Sequence, residues 1–272
     1  EHGPVRYRDE GVGDDSIDEY LVPSGVDGPT FASFAGYHDV RQRAVELIDT
    51  QLRNRERLAA IGARPVKGII FTGPPGTGKT TIARVVAKIY CGLGLLRKET
   101  VREVHRADLI GQHIGETEAK TNAIIDSALD GVLFLDEAYA LVATGAKNDF
   151  GLVAIDTLLA RMENDRNRLV VIIAGYRKDL DMFLDTNEGL RSRFTRSIDF
   201  PSYSATELTE IAMRMAEKRD SVFEPAAQAE MEQLFGHLAT ATTPDAAGVA
   251  RRSLDIAGNG RFVRNLVERS EE

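Results

Sequence analysis

One run, Gly73-Pro74-Pro75-Gly76-Thr77-Gly78-Lys79-Thr80, constrains this chain more than any other. It fills every fixed position of the phosphate-binding pattern G-x-x-x-x-G-K-[ST]. That pattern has one structural setting, between a buried strand and the first turn of a helix. Glycines let backbone N–H groups curl around phosphate oxygens, and the helix N-terminus adds favourable partial charge. Both neighbours are legible. Gly68-Ile69-Ile70-Phe71 is a short apolar run that reads as a buried strand, and helical spacing follows from Lys79 to about Tyr90. In this setting Lys79 is placed to reach the β- and γ-phosphates of a nucleotide, and the Thr80 hydroxyl to ligate Mg²⁺, with Thr81 alongside as a further nucleotide contact.

A second run completes the first. Val132-Leu133-Phe134-Leu135 ends in Asp136-Glu137. A central parallel strand ending in two acids puts both carboxylates at the carboxyl edge of a sheet, where open α/β folds bind ligands. Asp136 is the candidate for the Mg²⁺ shell. Glu137 is the candidate for orienting and polarising an attacking water.

The rest of the chain alternates in the same way. Strands are predicted at Val101 to His105, Leu169 to Ala174 and Ser197 to Phe200, with helices at Thr117 to Leu129 and Phe150 to Glu163. Such alternation implies a parallel sheet with helices on both faces. After Pro201 everything reads helical, starting from a Ser204-x-x-Glu207 capping box and continuing near Pro225 to Leu238, Arg251 to Ala257 and Arg261 to the end. A long helix is also predicted from Asp39, stopped by Gly62 and Pro65. The expected division is a flexible linker over 1–30, an α/β core over 31–201 and a small helical lid over 202–272.

Composition narrows the class. Apolar residues at 43% and charged residues at 28% are those of a soluble globular protein. The formal net charge of −8 repels phosphate backbones overall, and no basic stripe stands out, so there is no strong nucleic-acid signal. Cys91 is the sole cysteine, which excludes an internal disulfide and fits a reducing cytoplasm. Its place on an apolar helical run reads as a small core side chain. No apolar stretch reaches membrane-spanning length and no basic-then-apolar leader is present. The first residue is Glu1, not methionine, which fits a piece of something longer.

The phosphate loop followed by an aliphatic strand and Asp-Glu resembles the AAA+ family of ATPases, from about Phe31 to Ser270. The resemblance implies a P-loop α/β core with a C-terminal helical lid, ATP or ADP and Mg²⁺ as cofactors, and a ring homo-oligomer, by the family's habit an ATP-dependent hexamer. It also implies further site residues. Family members carry an arginine that acts on a neighbour's nucleotide, and the matching stretch is Gly189-Leu190-Arg191-Ser192-Arg193-Phe194. Arg193 is the first choice for this finger and Arg191 the second. Gly258-Asn259-Gly260-Arg261 resembles the lid's sensor motif, giving Arg261 as sensor with Arg264 one turn on. At the first sensor position many members have Asn or Thr, whereas this chain reads Gly175-Tyr176-Arg177, so Tyr176 or Arg177 stands in. Backbone at Gly36 and Tyr37 corresponds to the adenine pocket. Gln112-His113-Ile114-Gly115-Glu116 matches the loop that lines the central pore, with His113, Ile114 and Gly115 at its tip. An imidazole in the aromatic position offers less apolar grip than Tyr or Phe.

Further stretches narrow the branch. Ala107-Asp108-Leu109-Ile110-Gly111, Leu135-Asp136-Glu137-Ala138-Tyr139 and the two arginine motifs are similar to the branch holding the CbbX Rubisco activases and SpoVK. The long run from Ile82–Lys88 through Ile125–Ser127 resembles the EccA family of ESX (type VII) secretion ATPases, in their C-terminal ATPase region, and the run Ala143 to Gly151 fits the same family. That resemblance implies secreted protein substrates or their chaperones as partners. Two alternatives are a CbbX-type Rubisco activase and, from another class, a nucleotide-gated nucleic-acid clamp or loader.

Overall fold

The side-chain alternation of five strands sets the layers of this protein. In a computed structural model of the chain, residues 67–92, 94–113, 115–142, 150–245 and 248–270 are described. The linker, the helix from Asp39, Gly36, Tyr37, Ile114 and most of the Ala143 to Gly151 stretch lie outside these residues. The strands are β1 (Gly68–Thr72), β2 (Val101–Val104), β3 (Val132–Leu135), β4 (Val170–Gly175) and β5 (Phe194–Asp199). They form one parallel sheet in the order β2-β3-β4-β1-β5.

Because neighbouring residues on a strand face opposite ways, each strand feeds two cores. Phe71, Phe134 and Ile172 point to one side, and Ile70, Leu133, Leu135 and Ile173 to the other. The first side is covered by α1 (Lys79–Gly92), whose Ile82, Val86 and Tyr90 are buried there. The second is covered by α3 (Glu116–Ala128) and α4 (Phe150–Asn164) through Ile125, Ile155 and Leu158. A four-residue turn of helix, α2 (Arg106–Leu109), leads into α3. The short helices α5 (Arg177–Asp185) and α6 (Glu188–Arg193) close the second side with Leu180, Phe183 and Leu190. The expected helices on both faces are therefore present.

After Pro201 the chain crosses onto the α1 side. There α7 (Ala205–Glu217), α8 (Pro225–Thr240), α9 (Ser253–Ala257) and α10 (Gly260–Ser270) add Leu208, Phe235, Leu254, Val263 and Val267 to the same core as Phe71. The capping box forms as expected. The Ser204 hydroxyl accepts from the Glu207 N–H at 3.2 Å, and the Ser204 N–H donates to the Glu207 carboxylate at 2.8 Å. This lid has no α/β alternation of its own and depends on the sheet's first core for burial.

Three expectations need correction. The lid is not wholly helical: β6 (Thr242–Pro244) and β7 (Ala250–Arg252) form an antiparallel hairpin. Pro244 cannot sit inside a helix, and Asp245 closes the turn by accepting the Val249 N–H at 2.9 Å. Arg251 and Arg252 are thus strand, and the helix starts at Ser253. The last core strand begins at Phe194, three residues before Ser197, because Gly68 pairs with Phe194 ahead of a bulge, after which Ile69 pairs with Arg196. Cys91 is half-buried at the end of α1, not a core side chain.

Phe71 is fully buried and lies against both Phe134 and Phe200, with ring centroids 6.3 Å and 4.9 Å away. It is the last apolar side chain before the phosphate loop. Phe71→Ala is expected to lose about 3–5 kcal/mol in a urea titration, and a loss below about 1 kcal/mol would show that this core tolerates a cavity.

Candidate nucleotide site

The phosphate loop leaves β1 and is tied to its neighbours before α1 begins. The Gly73 N–H donates to the Gly175 carbonyl at the end of β4, at 3.0 Å. The Thr77 hydroxyl donates to the Pro74 carbonyl at 2.8 Å. The Lys79 Nζ donates back to the Gly73 and Pro74 carbonyls at 2.9 and 2.6 Å. Gly76 sits at φ +73°, in the left-handed region that glycine reaches without penalty. A Cβ there would stand 1.8 Å from the Gly258 carbonyl oxygen, so only glycine fits between loop and lid. The result is a concave backbone turn opening onto the first N–H groups of α1, which have no partner within the helix. Lys79 is 8% exposed. Burial lowers its ammonium to a pKa of about 8, against the pull of the Asp136 and Glu137 carboxylates and with the push of Arg261.

The two acids follow β3 as expected. The Asp136 N–H is held by the Val104 carbonyl of β2 at 3.1 Å. Glu137 has φ +50°, uncommon for a residue with a side chain, and its N–H donates to the Asp136 carboxylate at 3.0 Å. The 3-10 turn Ala138–Leu141 then carries the chain away. Arg106 clamps that turn by donating to the Ala140 and Leu141 carbonyls at 2.6 and 2.7 Å. Behind it, burial first and then the Glu137 charge raise the Tyr139 hydroxyl above its ordinary pKa, so it stays protonated.

These groups line a cavity of about 700 Å³. Gly73, Pro75, Gly76, Gly78, Lys79, Thr80, Thr81, Asp136, Glu137 and Tyr176 contribute from the core, and Arg261 and Arg264 from the lid. Pro74 and Thr77 instead brace the loop through the bond between them. The Thr80 hydroxyl and the Asp136 carboxylate are hard oxygen donors of the kind Mg²⁺ takes, usually with several waters retained. The chemistry of this set fits a Mg²⁺–polyphosphate: amides and ammonium for the phosphate oxygens, hydroxyl and carboxylate for the ion, and a further carboxylate for water.

The lid's sensor motif packs directly on the loop. The Gly260 N–H donates to the Gly76 carbonyl at 3.1 Å. Asn259, fully buried at φ +48°, donates to the Pro75 carbonyl at 3.4 Å and accepts the Tyr203 N–H at 3.2 Å. Of the two stand-ins for the first sensor, Tyr176 lines the cavity. Arg177 pairs with Asp199 at 2.9 Å and is not among the lining residues.

Neither finger candidate reaches this cavity. Arg191 is held by Asp185 at 2.7 Å. Arg193 donates to the Gly189 carbonyl at 3.3 Å, and its Nε is buried with no hydrogen-bond partner among the described residues. His113 and Gly115 lie on an exposed turn tied to the start of α3. The Glu116 carboxylate accepts the Gln112 and His113 N–H groups at 2.9 and 3.1 Å, and these bonds lower its pKa.

Several lining residues escaped the motif search. Glu103 and His105 reach the cavity from the end of β2, and Glu103 accepts from the Thr80 hydroxyl at 3.5 Å. Their signal was topological: β2 pairs with β3 in register, so the residue after Val104 stands beside Asp136. From the lid, α7 adds Ile211, Arg214, Met215 and Lys218. Helical periodicity hid these, because the turn of α7 that faces the cavity carries no motif.

The comparison with known families follows this geometry. The model for the ATPase family associated with various cellular activities (AAA) matches residues 69–202, and the AAA lid domain model matches residues 204–272. The chain belongs to this ATPase family. It is of the EccA type. It is 79% identical to the ESX-3 secretion system protein EccA3 of Mycolicibacterium smegmatis (strain ATCC 700084 / mc(2)155), over 89% of this chain and 40% of that protein. It is 73% identical to EccA3 of Mycobacterium leprae (strain TN), over 89% of this chain and 38% of that protein. With the ESX-1 secretion system protein EccA1 of Mycobacterium tuberculosis (strain CDC 1551 / Oshkosh) the identity is 53%, over 77% of this chain and 36% of that protein. The chain thus spans about 40% of the length of the curated relatives it matches. No helix of the described residues is long and apolar enough to cross a membrane.

The buried lysine makes nucleotide binding pH-dependent. Below a pH of about 8 the Lys79 ammonium is charged with the site empty, and a polyphosphate needs no extra proton. Above it the empty site holds a neutral amine that must take up a proton as the polyanion binds. Affinity for ADP, measured by fluorescent-nucleotide titration, is expected to be level approaching pH 8 and to weaken by up to about tenfold per unit beyond it. Lys79→Arg should remove that fall. An unchanged slope in the variant would assign it to another group.

Proposed function

We propose that this chain is the ATPase module of an EccA-type protein, working as a ring in which ATP is hydrolysed between neighbouring subunits. The observation that carries it is a division of the machinery. Lys79, Thr80, Asp136, Glu137 and Arg261 converge on one cavity, while Arg193 lies outside it with a buried Nε that has no hydrogen-bond partner among the described residues. Such an arginine is suited to a second copy's site, where it would stabilise charge on the transferring phosphoryl.

In this scheme the N–H groups of Gly76, Thr77, Gly78 and Lys79 cradle the phosphates, and the Lys79 ammonium binds the β/γ oxygens. Thr80 and Asp136 would hold Mg²⁺, which when bound would supply positive charge beside those oxygens. Glu137 orients the attacking water, and Arg261 with Arg264 contacts the phosphates from the lid. Tyr176 occupies the first sensor position, Gly36 and Tyr37 contact the base, and Arg191 is the reserve finger. The boundaries proposed for linker, core and lid are 1–30, 31–201 and 202–272.

The relatives' ESX names support a role in type VII secretion, in the cytoplasm, on secreted proteins or their chaperones. Remodelling of those clients by a hexamer, with His113, Ile114 and Gly115 at the pore, is the mechanism proposed. The relatives give no support to the Rubisco-activase or nucleic-acid alternatives.

A mixing experiment tests the shared site. Glu137→Gln and Arg193→Ala should each lower ATP turnover at least about a hundredfold. Mixed together they should regain activity, because the intact cavity of one meets the intact arginine of the other. Full turnover by Arg193→Ala alone would overturn the finger assignment. For the client, Glu137→Gln in the full-length protein with ATP should retain ESX-secreted proteins or their chaperones. Retention of Rubisco or nucleic acid in their place would overturn the secretion role.

A further inference from the structure

The lid touches the core at a second place, away from the Gly76–Gly260 bond. Arg251, on the strand β7 of the lid hairpin, sets its guanidinium over the ring of Tyr176 at 4.6 Å from the centroid. Asp245, at the other arm of the hairpin, fixes that guanidinium through its Nε at 2.7 Å. The Tyr176 ring is therefore covered by a cation whose own position is set. Tyr176 also lines the nucleotide cavity directly after Gly175, whose carbonyl holds the phosphate loop at Gly73. Arg251 is separated from Gly258–Arg261 only by the single short helix α9.

A guanidinium over an aromatic face is held by the ring's quadrupole and by dispersion, without a hydroxyl. Here it joins the end of β4 in the core to the hairpin of the lid. The sensor turn grips the loop from one side, and the hairpin grips the end of β4 from the other.

We propose that Arg251 and Tyr176 form a clasp that positions the lid hairpin over the phosphate end of the cavity and slows nucleotide release. Both act as positioning residues, and the proposal rests on the nucleotide-site reading given above. Closure of the clasp fixes the Tyr176 ring against the site. Its opening frees the hairpin, and with it α9 and the sensor turn, to move off the loop.

The test is the dissociation rate of a fluorescent ADP from the full chain, by stopped-flow chase with unlabelled ADP. Arg251→Ala and Tyr176→Ala should each release the probe about five- to tenfold faster. Arg251→Lys, which keeps a cation over the ring, should release the probe no more than about twofold faster than the parent. The double change Arg251→Ala with Tyr176→Ala should be no faster than either single one, as expected for two halves of one contact. Melting temperatures of the variants identify any that fail to fold, and for those Arg251→Gln and Tyr176→Leu take their place. Unchanged release in both alanine variants, multiplied rates in the double, or an Arg251→Lys variant as fast as Arg251→Ala would each overturn the clasp. A parent chain that binds no fluorescent ADP would instead overturn the nucleotide site itself.

Discussion

The bond between the Gly76 carbonyl and the Gly260 N–H is the contact on which the site depends. It joins the phosphate loop to the lid backbone-to-backbone, with no side chain between them, at a spacing that leaves no room for a Cβ on Gly76. Everything else about the cavity follows from that closeness. Arg261 is brought within electrostatic reach of Lys79 because it is the next residue after the bonded glycine. Asn259, bent into the left-handed region and fully buried, makes the contact three-way by holding Pro75 and Tyr203 together. The loop is thus shaped by the lid as much as by the sheet.

The cavity is cationic in its working parts although the chain is acidic as a whole. Lys79, Arg261 and Arg264 meet there, opposed by Asp136 and Glu137. Burial, more than mutual repulsion, is what lowers the lysine. A bound polyphosphate would supply the counter-charge that desolvation has removed, so ligand and lysine stabilise each other.

Much of this was legible in the sequence, and for a physical reason. Gly73 to Thr80 and Asp136-Glu137 are short, local and fixed in spacing, because phosphate geometry and a strand end leave few alternatives. The strands β1, β3 and β4 were legible because they are buried on both faces and so read as continuous apolar runs. The EccA-type relationship was legible for the same kind of reason, through long stretches rather than single residues. What could not be read was anything that arises from non-local pairing. Glu103 and His105 enter the site only because β2 lies beside β3. The hairpin of Thr242–Pro244 with Ala250–Arg252 was missed because helical neighbours set the expectation and the turn chemistry at Asp245 was passed over. Tyr176 was found by its place after β4, yet its partner Arg251 lies 75 positions away and carries no motif. Arg191 and Arg193 were found from their motif, and their distance from the chain's own cavity could come only from the fold.

The sheet also works as a partition. Its first core holds α1 and the lid helices together, and its second holds the helices that end at Arg193. No side chain of β3 or β4 belongs to both layers, since alternation assigns each to one. The phosphate loop with α1 and the helix α6 that carries Arg191 and Arg193 are therefore backed by separate layers of one molecule. The packing behind either can be reshaped with little disturbance to the other. In the shared site proposed above, this insulation would leave the affinity of a protomer's own pocket and its service to the adjoining one independently adjustable.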